Sequence, residues 1–270
     1  MSLLSRERYL AVITPTRVSL LRGRGRGAVD ALGSVACAGD SAGWTAAADA
    51  LQRLLTESGV HRGELEVVLS SHFARFRLVA WSDAIGSPDE LEAYARIGFE
   101  EVYGPVAAGW ALRVSPESAG RPRLAAAIEQ ALLDRLHGLA QSAGLNLVSV
   151  QPHLMAAYNR LLPRLRRDDF LFAVAEPGRC SVLLARAGRW VSVRSSAADD
   201  SEGAVAALLE RECELHGLAG EAMPPVYVHA PGRPQGAWRP VHGAAPQALA
   251  IGAPAAATSD PWLDMALAVA

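Results

Sequence analysis

The spacing of apolar residues changes along this chain in an order that occurs twice. Tyr9–Thr14 and Arg17–Leu21 are short apolar runs joined by a Pro-containing turn, and they predict a β-hairpin. Ala28–Ala36 predicts a third strand after the Arg-Gly stretch Arg22–Gly27. The period then lengthens over Ser41–Ser58. There Trp44, Ala47, Ala48, Leu51, Leu54 and Leu55 share one helical face, with Ser41 placed to cap the start and Gly59 to end it in the left-handed region. Leu65–Ser70 predicts a strand. From about His72 to Gln141 the rhythm differs: a strand at Phe73–Trp81, a helix to about Tyr103, strands at Trp110–Val114 and Arg123–Ala127, and a helix at Glu129–Ala143 closed by Gly144. Ser87-Pro-Asp-Glu90 is a capping box with Pro at the first helical position. Leu145–Val150 reads as a strand, and a helix starting at Pro152 carries Leu154, Met155, Tyr158, Leu161, Leu162 and Leu165.

The second half repeats the first in shorter form. Tyr9–Leu21 aligns without gaps on Leu171–Leu183, so that Ala11, Val12, Pro15, Arg17, Ser19 and Leu21 recur as Ala173, Val174, Pro177, Arg179, Ser181 and Leu183. Trp190–Arg194 predicts the third strand, Ser201–His216 a helix, Val226–His229 and Gln247–Ile251 strands, and Ser259-Asp-Pro261 caps a last helix. The charged joint Arg164–Asp169 separates the halves, giving residues 1–166 and 167–270, with an inserted α+β subdomain over about 72–143 in the first. Two halves on one plan predict an α/β protein of two lobes with a cleft between them.

Composition narrows the chemistry. With 270 residues, about three quarters of the unfolded surface can be buried. The net charge of −2 favours neither nucleic acid nor anionic lipid. Every basic residue is Arg; the absence of Lys excludes a P-loop, a Schiff-base lysine and a kinase-type phosphate lysine. No apolar stretch is long enough for a spanning helix, and Met-Ser-Leu-Leu-Ser-Arg-Glu-Arg lacks a signal-peptide core. Cys37, Cys180 and Cys213 are scattered in apolar contexts and read as buried thiols, so the expected location is the cytoplasm.

The doubled strand–turn–strand plan resembles the actin-like (ribonuclease H-like) ATPase superfamily. The stretch Arg123–Ile128, the joint Ala143-Gly-Leu145 and Val148–Ala157 are similar to the type IV pilus protein PilM, to MshI-type pilus proteins and to the cytoplasmic region of the type II secretion protein GspL. Catalytic members of the superfamily carry Asp-x-Gly-x-x-Ser/Thr in both hairpin turns, the acids organising Mg²⁺ and water and the glycines admitting phosphate. Here the acid positions fall near Val12 and Val174 and the glycine positions near Thr14 and Glu176. Pro15 and Pro177 each remove a backbone donor. Glu176 would repel a phosphate at about 4 Å by about 1–4 kcal/mol. Near the expected adenine loop, Tyr227–Gly232 keeps the single glycine Gly232 where paired glycines are usual.

What this resemblance implies is a non-catalytic scaffold of a pilus or type II secretion inner-membrane platform. Its implied partners are a bitopic membrane protein of the PilN type and, directly or indirectly, the assembly ATPase, with homodimerisation open. In PilM-type proteins a short peptide of the membrane partner docks in a groove between subdomains. No cofactor is expected. The alternative is an ATP-binding switch using Mg²⁺, with phosphate contacts from Thr16, Arg17, Gly178 and Arg179.

Other groups invite chemistry beside a plainer reading. Ser70-Ser-His72 suggests a nucleophile and base, against a polar turn ending a strand; neighbours on a strand point apart, so Ser71 and His72 meet only across a kink. His229 and His242 suggest metal ligands, but without ligand spacing. Asp199-Asp200 reads as a helix cap and Asp168-Asp169 as a solvated joint. Arg22, Arg24 and Arg26 read as a solvated turn or an anionic-surface contact, Arg17 and Arg179 as turn anchors bound to carboxylates. Trp81, Trp110, Trp190 and Trp238 read as core.

Overall fold

In the computed structural model, which describes residues 7–24, 28–38, 43–166, 168–233, 237–251 and 260–270, the repeat becomes two five-stranded mixed sheets. The first holds β1 (Arg8–Ile13), β2 (Arg17–Gly23), β3 (Val29–Ala36), β4 (Gly63–Leu69) and β8 (Leu145–Pro152) in the order β3-β2-β1-β4-β8. The second holds β9 (Phe170–Glu176), β10 (Arg179–Arg186), β11 (Arg189–Ala197), β12 (Val226–His229) and β13 (Gln247–Ala248) in the corresponding order β11-β10-β9-β12-β13. Between β4 and β8 lie β5 (Ala74–Val79), β6 (Trp110–Val114) and β7 (Arg123–Glu129), which form an antiparallel sheet in the order β5-β7-β6.

The central strands are apolar on both faces because helices cover both. In β1, Tyr9, Ala11 and Ile13 pack with α1 (Thr45–Glu57) and α3 (Gln130–Ser142), while Leu10 and Val12 face α6 (Pro261–Ala266). In β9, Leu171, Ala173 and Ala175 face α5 (Glu202–Leu215), while Phe170, Phe172 and Val174 face α4 (His153–Leu161). Two helices therefore cross between lobes. α4 follows the first sheet and packs Leu154, Ala156, Ala157 and Leu161 on the second. α6 follows the second and packs Met265 and Ala266 against Leu10, Val12, Leu21 and Val68 of the first.

The inserted stretch divides by packing. α2 (Pro88–Tyr103) covers one face of the small sheet through Ala95 and Phe99, beside Trp110, Leu112, Ala125 and Ala127. Ala74, Phe76 and Leu124 on the other face join the second lobe's core. α3, by contrast, buries Leu132, Leu136, Leu139 and Ala140 in the first lobe's core.

Several elements start or stop elsewhere than the pattern predicts. Ser87 caps α2 with the full box, Ser87 Oγ accepting from Glu90 N–H. α1 starts at Thr45, where its apolar face starts, and Trp44 at its N-cap supplies no side-chain bond; Ser41 lies outside the described residues, as do Arg26 and Ser259. Asp260 caps α6, accepting from Trp262 N–H. β13 is two residues long rather than five, and among the described residues no helix joins β12 to β13.

Candidate functional site

The two hairpin turns meet the seam between the lobes, and their chemistry follows from strand alternation. Glu176 continues the face of Phe172 and Val174, so its carboxylate points toward the N-terminus of α4. Pro177 and Gly178 close the turn, with Gly178 at φ +78°, the conformation a type II turn requires at that position. On the other side of the seam β4 ends at Leu69 and turns, Phe73 N–H donating to Ser70 O at 3.0 Å. The turn aims both serines at Glu176. Ser70 Oγ donates to one carboxylate oxygen; Ser71 donates to the other through Oγ at 2.7 Å and N–H at 3.1 Å. His153, at the start of α4, adds Nδ1 at 3.0 Å. Glu176, Ser70, Ser71 and His153 are all buried.

Burial alone pushes the Glu176 carboxyl up. The hydrogen bond and charge of His153, with the Ser70 and Ser71 hydroxyls, outweigh that and hold it at about 2. This is an anion satisfied entirely by the protein, linking the end of β4 to the end of β9. The sequence signal for it was Glu176 at a repeat position where glycine is expected. Nothing local indicated Ser70, Ser71 and His153 as its partners.

Of the remaining cleft positions, Thr14 and Gly232 are also engaged with the chain itself. Thr14, equivalent to Glu176, folds its hydroxyl back on its own turn, donating to Arg17 O at 2.8 Å and accepting from Arg17 N–H at 3.1 Å. Thr16 is exposed. Val12 and Val174 are core residues. Gly232, at φ +76°, donates to Asp264 Oδ2 at 3.2 Å, and a Cβ there would lie 3.1 Å from Pro261. Burial pushes the Asp264 carboxyl up to about 6, against the Gly232 N–H and His153, which lower it. Gly178 faces His72, whose Nε2 lies 3.3 Å from where a Cβ would stand.

The pair that meets in the Ser-Ser-His stretch is Ser70 with His72, Oγ to Nδ1 at 2.9 Å, because the turn brings alternate residues together. Ser71 turns instead to Glu176. Neither serine reaches solvent, at 0% and 1% exposure, so no substrate carbonyl has a path to them. Burial lowers the His72 pKa, with Arg179 and Arg75 acting in the same direction and Glu176 against it. His229 is buried, with Nδ1 2.9 Å from Leu249 O, and burial followed by His153 pushes its pKa down to about 3. His242 is exposed in the turn closed by Val241 and Ala244. The structure does not group them as ligands, and among the described residues no cluster of three His, Cys, Asp or Glu is placed to hold a metal.

The other candidates resolve locally. Arg17 donates to Ser34 Oγ rather than to a carboxylate, and Arg179 Nε is buried without a partner. Arg22 lies over the Tyr9 ring and Arg24 pairs with Asp30. Ser201, not the aspartate pair, caps α5; Asp199 accepts from Ser201 N–H. Asp169 pairs with Arg186, and the Asp168 backbone oxygen accepts from Gly188 N–H. Trp110 and Trp238 are buried; Trp81 lies under Arg123, and Trp190 donates to Glu117. Cys180 and Cys213 are buried free thiols, pushed up by burial to about 12 and about 11; Cys37 is partly buried.

An open groove lies between the small sheet and the first sheet. β6 is the edge of the small sheet and β8 the edge of the first, and they face each other across about 630 Å³ lined by Trp110, Leu112, Ile128, Leu133, Val148 and Val150. Val148 is the extra residue of a bulge, since Leu65 pairs Leu147 while Glu66 pairs Ser149. The bulge leaves its side chain 44% exposed at the groove.

Two lobes of one sheet order, crossed helices and a seam at the hairpin turns define an actin-like fold. Solved structures agree. The cytoplasmic domain of EpsL, an inner-membrane component of the type II secretion system of Vibrio cholerae, matches with TM-score 0.54 and 12% identity over 83% of this chain and 82% of that one. The PilM–PilN type IV pilus biogenesis complex matches with TM-score 0.57 and 15% identity, over 83% and 80%. A protein of unknown function with an actin-like ATPase fold from Bacteroides thetaiotaomicron matches with TM-score 0.57 and 8% identity, over 84% and 82%. No protein-family model matches the chain, and no curated protein does. At these identities the likeness establishes the fold, and it includes the GspL-type and PilM-type proteins that the sequence resembles.

Proposed function

We propose that the chain is a non-catalytic actin-like scaffold of a pilus or type II secretion assembly platform, working at the cytoplasmic face of an inner membrane. The observation that carries this reading is the Glu176 network. Ser70, Ser71 and His153 spend their donors on the protein's own carboxylate at the seam where a nucleotide-binding relative needs donors for phosphate. A nucleotide entering there would meet that charge and a turn lacking the Pro177 N–H.

The groove between β6 and β8 supplies the positive half of the reading. β8 offers a sheet edge, the β6 carbonyls of Trp110 and Leu112 already accept from Arg96 and Arg113, and the mixed lining, with Glu92, Gln130 and His137 beside the apolar residues, suits an extended peptide laid along β8 with alternate side chains seated in the groove. The occupant we assign is the N-terminal segment of a bitopic partner of the PilN type, in line with the likeness to the PilM–PilN complex. Among the described residues no helix is long and apolar enough to cross a membrane.

Calorimetric titration with ATP and ADP, with and without Mg²⁺, tests the first half; the expected result is no binding up to high micromolar nucleotide. Binding at low micromolar concentration would instead make the protein a nucleotide switch whose seam opens. Titration with the cytoplasmic peptide of a PilN-type protein tests the second. Val148→Glu, at an exposed bulge, is expected to weaken that binding by about tenfold or more without loss of fold.

A further inference from the structure

The internal repeat supplies its own control for one arginine. In the first lobe Arg17 on β2 donates to Ser34 Oγ at 3.0 Å, and Ser34 lies 3.0 Å from Ser19 Oγ across the β2–β3 ladder. The second lobe has the same positions in the same register, with Arg179 on β10 opposite Ala197 and Ser181 opposite Ser195 on β11. The two serines bond as before, Ser181 donating to Ser195 Oγ at 3.0 Å. Arg179 departs from the plan. Its guanidinium makes no hydrogen bond or ion pair among the described residues, and its Nε is buried. The repeat offers Arg179 a bond to Ser195 that it does not take.

What Arg179 faces instead is Arg75 on β5. Burial, and after it the charge of Arg75, lower the Arg179 pKa, against Glu176 and Tyr103, which raise it. Arg75 is pinned by two bonds from Nη1, to His72 O and Ala74 O, both at 2.9 Å; its other nitrogens make no bond among the described residues. No carboxylate there is in contact with either arginine. Glu176 gives its oxygens to Ser70, Ser71 and His153. Glu129, which lines a small cavity with Arg75, accepts from Trp44 Nε1 at 2.8 Å. Two guanidiniums are thus brought together, partly buried, and their repulsion works against folding until an anion joins them. Both stay partly exposed beside the exposed turn Pro177-Gly178, so a ligand reaches them from solvent.

We infer that Arg75 and Arg179 form a binding site for a carboxylate at the mouth of the seam. Guanidinium forks match the two oxygens of a carboxylate in geometry and in number of donors. Donor count selects carboxylate over phosphate. The further oxygen of a phosphate needs donors beyond the two forks. The adjacent turn has no N–H at Pro177, and the Ser70 and Ser71 hydroxyls are taken by Glu176. The carboxylate belongs to a small acid or to an acidic side chain of a bound protein segment, and the test separates the two. This site is distinct from the β6–β8 groove and holds whether or not the chain is a scaffold.

The test follows the arginine Nε–H signals of the full chain by heteronuclear NMR. Sodium acetate, sodium glutarate and the peptide acetyl-Ala-Glu-Ala-amide are added in turn, with ionic strength held constant by NaCl. The Arg75 and Arg179 signals are expected to shift saturably, with dissociation constants on the order of millimolar for these minimal probes. Arg179→Met and Arg75→Met are each expected to weaken binding by about tenfold or more. Arg17→Met, the equivalent change in the first lobe, is expected to leave it unaltered. Peptide binding as tight as that of glutarate assigns the carboxylate to a protein side chain, and binding of the free acids alone assigns it to a small ligand. Shifts that do not saturate, shifts that NaCl reproduces, or tighter binding of inorganic phosphate or ATP than of any carboxylate overturns the proposal. Stability gives a second readout. Arg179→Met removes a repulsion and no hydrogen bond, so its urea midpoint in carboxylate-free buffer is expected to be no lower than that of the wild type. A lower midpoint makes Arg179 a support of the fold and overturns the site.

Discussion

Glu176 shows how one buried carboxylate can tie the ends of two sheets together. Four donors and full burial make its carboxylate part of the fold. Removing it by Glu176→Ala leaves Ser70, Ser71 and His153 facing an empty buried space, and the expected loss is about 3–5 kcal/mol in urea unfolding at neutral pH. The pH dependence has a definite sign. The folded carboxyl sits at about 2, below its unfolded value, so its contribution is complete above the unfolded value and is lost as pH falls toward about 2. Wild-type stability should fall through that acid window more steeply than that of the alanine variant. Parallel curves for the two proteins would show that Glu176 is not held as described. The anomaly at this position was legible in the repeat, because a carboxylate replaced glycine there. Its partners were not: Ser70 and Ser71 are more than a hundred positions away, and only the folded seam pairs them.

Elements with their own chemistry were legible, and those defined by neighbours were less so. The capping box wrote the start of α2 into Ser87 and Glu90, and both halves of the box form. Ser87→Ala should cost about 1 kcal/mol in equilibrium unfolding and speed hydrogen exchange in the first turn of α2 ahead of the rest of the helix. Uniform exchange along α2 in the variant would mean that packing of Ala95 and Phe99, not the cap, holds that turn. α1 has no such signal at Trp44, so its start follows its contacts. α3 looked like part of the insertion because it follows β7 directly, yet its apolar stripe fits the space beside α1. A hydrophobic stripe states that a helix is covered, not by what. The bulge at Val148 was hidden for the same reason: it exists only in the register between β4 and β8.

At the scale of the molecule, the doubled plan was readable as aligned hairpins, but the exchange of helices was not. The strands of both halves read alike whichever helix covers their second face. In the structure α4 and α6 each leave one sheet to pack on the other. The loop between β6 and β7 adds a third tie, Arg121 donating to Gly188 O at 2.9 Å and Glu117 accepting from Trp190 at 3.0 Å. Lobes joined this way should unfold together, since neither keeps its core when the other is lost. Met265 tests this, because it belongs by sequence to the second half and is fully buried with Leu10, Val12, Leu21 and Val68 of the first. Met265→Ala should cost about 2–5 kcal/mol. Its urea transition should stay single, with far-UV circular dichroism and tryptophan fluorescence shifting to the same lower midpoint, the fluorescence read in two backgrounds that keep one of the six tryptophans each, Trp44 for the first lobe and Trp190 for the second. Were the Trp190 signal to keep its wild-type midpoint while the Trp44 signal dropped, the lobes would be independent units and the crossed helices mere contacts between them.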